Sequence, residues 1–245
     1  MERGGEFLAD GTLCRIRPIG RPAPGNPLIC WGQGGGSGED FEQVCGLLQI
    51  LGLPPFLLAA FEREDWNAAF SPWPAPGLPG RGEFAGEAAD TLRFLERRML
   101  PELARWKPGP CFLAGYSLAG LFALWALCET QCFAGAAGCS PSLWYDGFEE
   151  FFAPELLPEN SRVYLSLGRS EERTRDPRMA RVGNAVRHTA ARLENAGRGV
   201  ESVLCWHDGG HFHEPGKRIA QGIAWLAAGP QGSRDLGRLN AKRQK

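Results

Sequence analysis

Short runs of apolar residues alternate along this chain with stretches in which apolar residues recur at every third or fourth position. The short runs are typical of buried β-strands, and the longer spacing is typical of amphipathic helices. The predicted strands cover residues 12–17, 27–31, 56–61, 111–114, 133–139, 163–167 and 200–206. The predicted helices carry their apolar positions within residues 41–51, 88–99, 118–128, 179–193 and 219–226.

Most of the predicted strands are continuous apolar runs, as expected for strands that are covered on both faces. Their alternation with helices predicts an α/β fold with a mostly parallel sheet and helices on both faces. Residues 12–17 alternate weakly and are predicted to form an edge strand, whereas residues 62–84 form a predicted loop with several prolines and tryptophans. We expect one domain over residues 1–229 and a flexible C-terminal tail over residues 230–245, which lack periodicity.

Two local signals concern the predicted helix ends. Ser37 followed by Asp40 resembles a capping box, in which side chains at the helix start bind its free amides. Pro101 has no amide proton and is expected to break or kink the helix that precedes it.

Residues 111–128 form a segment of 18 residues without a charge, which is long enough to span a membrane. The chain has no second segment of this kind. A buried strand, a sharp turn and a buried helix in a soluble protein explain the segment better.

The charge balance excludes two classes of partner. The 245 residues include 27 Lys and Arg against 28 Asp and Glu, a formal net charge of −1. No positive field is therefore available to attract nucleic acid or an anionic membrane.

Residues 1–21 carry charges throughout and lack the apolar segment of a secretory signal, so we expect a cytoplasmic location. The eight cysteines show no Cys-x-x-Cys pair or zinc spacing, so buried thiols are expected and no metal or other cofactor is implied.

The sequence GYSLAG at residues 115–120 lies between a predicted strand and a predicted helix, as a nucleophile elbow does. Such a turn needs small residues two positions before and after the serine, which here are Gly115 and Ala119. It would expose the Ser117 hydroxyl above the sheet and direct the Leu118 amide toward the same point. The alternative is that the glycines only allow close packing of helix and strand.

A serine nucleophile needs a base, and the chain has only four histidines. In this architecture the order along the chain is Ser, acid, His, with the base after the last strand. His211 follows that strand and two glycines and is therefore the predicted base, with His213 as the second choice. His207 adjoins the strand and is interpreted as structural, and His188 is expected to face solvent.

The acid of such a site is expected after the strand at residues 163–167. Glu171, the third residue after Gly168, is the predicted acid that orients the imidazole. Glu172 and Asp176 are alternatives, because a shift of the loop would exchange them. The competing interpretation is a solvated cluster of charges.

The glycine cluster at residues 32–36 follows a predicted strand and has two functional interpretations. It could supply the second backbone amide of an oxyanion hole, with Gln33 as the first choice and Gly34 as the second. A dinucleotide-binding turn fits less well, because Ser37 stands where a third small residue is wanted and Glu62 follows 30 positions on instead of about 20. A plain flexible connector is the third possibility.

The GYSLAGL sequence at residues 115–121, with CSPSLW at residues 139–144, resembles the esterase D-like (putative esterase) family of the α/β-hydrolase superfamily. That group includes S-formylglutathione hydrolases, feruloyl esterases, siderophore esterases and mycolyl acyltransferases, and the likeness covers roughly residues 25–228. It implies a single-domain α/β-hydrolase without a large lid domain, with Ser117 as nucleophile and His211 as base. The chain departs from the family at Trp31, where a histidine is usual.

The resemblance and the motifs together predict a serine carboxylic ester hydrolase that acts through an acyl-enzyme on a small-molecule ester. An acyltransferase would use the same residues, and a non-catalytic binding protein on the same fold is the alternative of another class. Trp66, Trp73, Trp144 and Tyr145 lie on loops expected at the carboxyl edge of the sheet and are candidates for the substrate-binding wall. The alternative for these aromatics is packing over the sheet edge.

Overall fold

A computed structural model describes residues 4–78, 80 and 82–229. These residues form one eight-stranded sheet in the order β1-β2-β4-β3-β5-β6-β7-β8. β1 and β2 run antiparallel to their neighbours, whereas β3 to β8 run parallel to one another. The strands are β1 (Gly5–Ala9), β2 (Thr12–Ile19), β3 (Leu28–Gly34), β4 (Phe56–Arg63), β5 (Cys111–Tyr116), β6 (Gly135–Cys139), β7 (Arg162–Gly168) and β8 (Glu201–His207). The prediction of an α/β fold with a mostly parallel sheet is confirmed.

The helices of the described residues lie on both faces of this sheet. They are α1 (Gly38–Gln49), α2 (Trp66–Phe70), α3 (Ala88–Phe94), α4 (Leu100–Leu103), α5 (Leu118–Glu129), α6 (Phe148–Phe151), α7 (Pro177–Ala180), α8 (Val182–Glu194) and α9 (Pro215–Ala227). Alternate residues of a strand enter opposite cores: Leu28 belongs to the core that contains residues of α3, α5 and α8, whereas Ile29 belongs to the core that contains residues of α1 and α9.

Helix α5 accounts for most of the uncharged segment that resembles a membrane span. Every residue from Leu118 to Cys128 is buried, so the helix is apolar on all sides because protein surrounds it. Within the part of the chain that the structure describes, no helix combines the length and the apolar character needed to cross a membrane.

Several predicted element ends differ from the structure. Strand β1, in which three of five residues are exposed, lies at the edge of the sheet, so residues 12–17 belong to an inner strand and their prediction as an edge strand is wrong. The predicted capping box at Ser37 is wrong, because its hydroxyl donates to the Gly34 carbonyl (2.7 Å) and makes no cap bond to α1. Pro101 does not end its helix, since a π-helical turn at Leu95–Met99 leads into α4 with the proline in its first turn.

The segment between β4 and α3 packs against the core through Phe70 and Phe84. It contains α2 and one isolated antiparallel bridge between Ala75 and Phe84, and residues 79 and 81 are not described. The predicted C-terminal tail at residues 230–245 lies outside the described residues.

Candidate active site

Ser117 lies in a sharp turn between β5 and α5. Its backbone has φ 57° and ψ −121°, a conformation that residues with side chains rarely adopt and that stores strain. The turn brings strand and helix so close that a Cβ on Gly115 would lie 2.1 Å from the Ala119 carbonyl oxygen. The small residues of the motif are therefore required by the turn itself.

The Ser117 hydroxyl, the His211 ring and the Glu171 carboxylate form one hydrogen-bonded chain. Ser117 Oγ lies 3.0 Å from His211 Nε2, and His211 Nδ1 lies 2.7 Å from Glu171 Oε2. The three residues follow β5, β8 and β7, whose carboxyl ends meet at one edge of the sheet. The His211 side chain is 23% exposed and that of Glu171 only 4%. The hydrogen-bonded series therefore runs from the surface into the protein.

The His211 loop is fixed by its backbone. The Tyr116 hydroxyl donates to the His211 carbonyl oxygen (2.6 Å), and the two rings lie 5.4 Å apart. Gly209 has φ 81°, in the left-handed region that favours glycine. These features hold the imidazole over the elbow.

The second oxygen of Glu171 accepts three hydrogen bonds. The donors are the Ser140 hydroxyl (2.8 Å), the Gly168 amide (2.7 Å) and Nη1 of Arg218 (2.8 Å). Burial raises the pKa of Glu171, but the hydrogen bond and charge of His211 and the bonds from Gly168 and Ser140 outweigh it. The net effect is a pKa below the usual value, which favours the ionised carboxylate.

Arg218 on α9 was not anticipated from the sequence. Its side chain is fully buried and pairs with Glu171, and its Nη2 donates to the carbonyls of Asp208 and Gly210 (2.9 Å each) in the loop before His211. The only sequence signal is its spacing, because Arg218 falls four residues before Gly222 on the buried stripe of the helix.

The other two carboxylates considered for the acid have separate partners. Glu172 forms an ion pair with Arg187 (2.8 Å) on the surface. Asp176 caps α7 by accepting from the amides of Arg178 and Met179. Neither is bonded to His211 in the structure.

The remaining histidines lie apart from the Ser117 hydroxyl. His213 is exposed, with Nε2 at 3.9 Å from Glu214, and His188 is exposed beside Glu149. His207 is half-buried, and burial followed by the charge of Arg218 lowers its pKa to about 4.

One backbone amide and one side-chain hydroxyl lie near the Ser117 hydroxyl. Leu118 is the first residue of α5, and the first amides of a helix have no partner within it. The Ser142 hydroxyl also approaches, 3.3 Å from Ser117 Oγ. An oxyanion would meet a helix N-terminus here.

The glycine cluster is not a loose turn, because β3 continues to Gly34. The Gly35 amide donates to the Arg63 carbonyl on β4 (3.1 Å), and the pairing with β4 is unbroken. Successive amides of a strand point to opposite sides, so the amide of Gln33 also faces β4 and that of Gly34 faces β5. This geometry favours Gly34 over the predicted first choice, Gln33, as a donor toward the elbow.

The four aromatic candidates for a substrate wall separate into two groups. Trp144 and Tyr145 are buried at 8% and 2% exposure, and the Tyr145 hydroxyl donates to the Trp73 carbonyl. Trp73 is half-buried and donates its indole proton to the Asp146 carbonyl (2.9 Å). These three residues pack together, as the alternative of packing over the sheet edge expects. Trp66 lines a cavity of about 180 Å³ together with Gly34.

Comparison with known proteins gives distant relatives. No family model matches the chain. The uncharacterized protein YbbA of Bacillus subtilis is 30% identical over 129 residues, which are 49% of this chain and 52% of the relative, so the match spans about half the length of that curated protein.

Several solved structures share the fold. An IroE-like serine hydrolase from Shewanella oneidensis matches at 18% identity over 88% of this chain and 75% of its own, with a TM-score of 0.72. The siderophore hydrolase EstA from Aspergillus nidulans matches at 18% identity over 91% and 93%, with a TM-score of 0.66. The enterobactin esterase from Shigella flexneri matches at 19% identity over 97% and 60%, with a TM-score of 0.63. The chain therefore has the α/β-hydrolase fold of these esterase-type proteins, as the sequence resemblance implies.

Proposed function

We propose that this chain is a serine carboxylic ester hydrolase that acts on small-molecule esters. The observation that carries the proposal is the hydrogen-bonded chain from Ser117 through His211 to Glu171, with 3.0 Å and 2.7 Å between successive partners. The names of the fold neighbours, a serine hydrolase, a siderophore hydrolase and an enterobactin esterase, support the same class of reaction.

In the proposed reaction Ser117 Oγ attacks the ester carbonyl while His211 Nε2 takes its proton. The tetrahedral intermediate collapses, and His211 returns the proton to the leaving alcohol. Water then attacks the acyl-enzyme, His211 takes a proton from it, and the carboxylic acid leaves as Ser117 regains its proton. Glu171 holds the His211 tautomer and stabilises the imidazolium without accepting the proton.

The negative oxygen of the intermediate needs donors that are already in place. We assign one to the Leu118 amide at the start of α5 and the other to the Gly34 amide, with Gln33 now the second choice. Both donors are backbone amides, so only replacement by proline, which has no N–H, removes one of them directly.

Labelling with a fluorophosphonate probe tests the nucleophile. We expect mass spectrometry to find the adduct on Ser117, and Ser117→Ala to lose both the adduct and hydrolysis of p-nitrophenyl acetate. Ser202→Ala, on β8, is the matched control that retains both. Labelling at another residue, or wild-type rates in Ser117→Ala, would contradict the proposal.

Product analysis with added alcohols separates hydrolysis from acyl transfer. A hydrolase releases mainly the free acid, whereas an acyltransferase releases mainly the new ester. The distinction lies only in which acceptor reaches the acyl-enzyme, because both reactions use the same residues.

A further inference from the structure

A cavity of about 180 Å³ lies between the proposed oxyanion strand and the helix that follows the His211 loop. It is bounded by the end of β3, the first turns of α1 and α9, Trp66 and Tyr116. Gly34 and Tyr116 place it beside the proposed reaction centre, since Tyr116 precedes Ser117 in the chain. The cavity is therefore within reach of an ester group that extends from the reacting carbonyl toward this side.

The volume and walls of the cavity fit one ring-sized group. An apolar cavity of about 150 Å³ accepts a single benzene molecule, so 180 Å³ accepts one six-membered ring with a small substituent. Trp31, Trp66 and Ile219 provide apolar walls. Burial of such a group is favourable because it removes apolar surface from water.

Gln33 gives the cavity a polar position. The residue is 3% exposed, its Nε2 donates to the Ser37 carbonyl over a long 3.4 Å, and its Oε1 is buried without a hydrogen-bond partner among the described residues. A buried unpaired acceptor is costly and rare in native proteins. Gln33 itself lines the cavity, and the last torsion of a glutamine side chain is broad, so its amide can turn toward a bound group.

The rim of the cavity carries a negative charge, that of Asp40. Asp40 in the first turn of α1 lines the cavity, is exposed, and forms no ion pair within the described part of the chain. A carboxylate at the entrance disfavours an anionic group and favours a hydrogen-bond donor or a cation.

We propose that this cavity is the substrate subsite for a ring-sized group that carries a hydroxyl or amine donor, with Gln33 Oε1 as the acceptor. The inference rests on the proposed esterase function and names the class of ester that this site prefers. Gln33 then acts as a specificity-determining residue through its side chain.

Two pairs of esters test the subsite on either side of the ester bond. One pair is the p-nitrophenyl esters of cyclohexanecarboxylic acid and its 4-hydroxy derivative; the other is the acetates of cyclohexylmethanol and its 4-hydroxy derivative. We expect kcat/KM to favour the hydroxylated member of one pair by about three- to ten-fold, the effect of one hydrogen bond. Gln33→Met should reduce that ratio to about one, whereas Gln49→Met, an exposed glutamine on the same helix as Asp40, should leave it unchanged. The ratio cancels any general loss of activity in the variant.

A ratio of one in the wild type for both pairs, or a preference that survives Gln33→Met, overturns the inference. If all four esters fail to react, the probe labelling and p-nitrophenyl acetate decide the proposed function, and the cavity is tested by binding alone. Titration of the chain with phenol and with toluene, followed by NMR, should then show tighter binding of phenol that Gln33→Met abolishes. Equal binding of the two, or none, overturns the inference on that arm as well.

Discussion

At the scale of single residues, Arg218, which pairs with Glu171, has the largest expected effect on the free energy of unfolding. Arg218 joins Glu171 to the carbonyls of Asp208 and Gly210, so one buried guanidinium fixes both the carboxylate and the loop that carries the proposed base. A planar guanidinium with several donors suits this task, which an ammonium group cannot reproduce.

Replacement of Arg218 by methionine should be strongly destabilising. It leaves Glu171 as a buried charge without its cationic partner, a change that typically costs about 3–5 kcal/mol of the free energy of unfolding. Urea unfolding measures the loss, and kcat/KM for an ester should fall as well because the His211 loop is released. Lys217→Met on the adjacent exposed position is the control and should change neither quantity appreciably. A stable and fully active Arg218→Met variant would contradict this account of the buried pair.

His207 predicts a dependence of stability on pH. Its pKa is lowered from 6.5 to about 4 in the folded protein, mainly by burial. Between these values the unfolded chain binds the proton more readily, so this contribution is complete above about pH 6.5 and is lost as the pH falls toward 4. His207→Gln should therefore lose less stability than the wild type between pH 7.5 and pH 4.5, by about 1–3 kcal/mol.

The matched control for His207 is His188→Gln, since His188 is exposed beside Glu149. Urea unfolding at the two pH values gives the comparison. An equal loss of stability in the wild type and in His207→Gln would show that His207 does not bind its proton on unfolding.

At the scale of elements, the nucleophile elbow depends on contact between β5 and the first turn of α5. A methyl group on Gly115 would lie 2.1 Å from the Ala119 carbonyl oxygen, which belongs to the backbone and cannot move without displacing the helix. Gly115→Ala should therefore shift Ser117 and reduce kcat/KM by about 100-fold or more, the usual effect of a displacement near 1 Å.

Gly46 on α1 offers the opposite case. A methyl group there meets no atom within 4 Å, and alanine stabilises a helix interior by about 0.5–1 kcal/mol relative to glycine. Gly46→Ala should raise the free energy of unfolding by that amount and leave kcat/KM unchanged. Equal effects of the Gly46 and Gly115 substitutions would contradict the steric explanation.

The same elements show why parts of the structure were predictable. Buried strands such as β4 and β7 are continuous apolar runs, which the sequence displays directly. Gly168 marks the end of β7 in the sequence, so Glu171 was expected in the turn that follows this strand. The sequence gives no clear signal for β1, because an edge strand buries little surface and therefore has no continuous apolar run.

Several features that local sequence patterns do not reveal depend on long-range contacts. The direction of the Gln33 and Gly34 amides is set by pairing with β4, which no local pattern reveals. The burial of Trp144 and Tyr145 depends on Phe84 and the segment before it, which lie about 60 residues earlier in the chain. Arg218 acquires its partners only when α9 packs on the sheet.

At the scale of the whole molecule, helix α9 runs from the carboxyl edge of the parallel strands to their amino edge. Arg218 near its start lies at the carboxyl edge beside Glu171, whereas its end is bound at the opposite edge by Arg162, the first residue of β7. Arg162 is 6% exposed and donates to the carbonyls of Trp225, Leu226 and Gly229. A cation bound to the last carbonyls of a helix stabilises its C-terminus.

Replacement of Arg162 by methionine should thus separate stability from catalysis. Hydrogen bonds to a charged group contribute about 1.5–3 kcal/mol each, and their loss frees the end of α9, so urea unfolding should show a marked loss of stability and amide exchange of α9 should accelerate. Arg218, which contacts the proposed active site, lies eight residues before Leu226, or about 12 Å along the helix at 1.5 Å per residue. At low temperature and without denaturant, kcat/KM should therefore fall much less than in Arg218→Met, while exposed Arg198→Met should change neither measurement. Equal losses of kcat/KM in folded Arg162→Met and Arg218→Met would mean that α9 acts on the site as a whole and that Arg218 has no separate role beside Glu171.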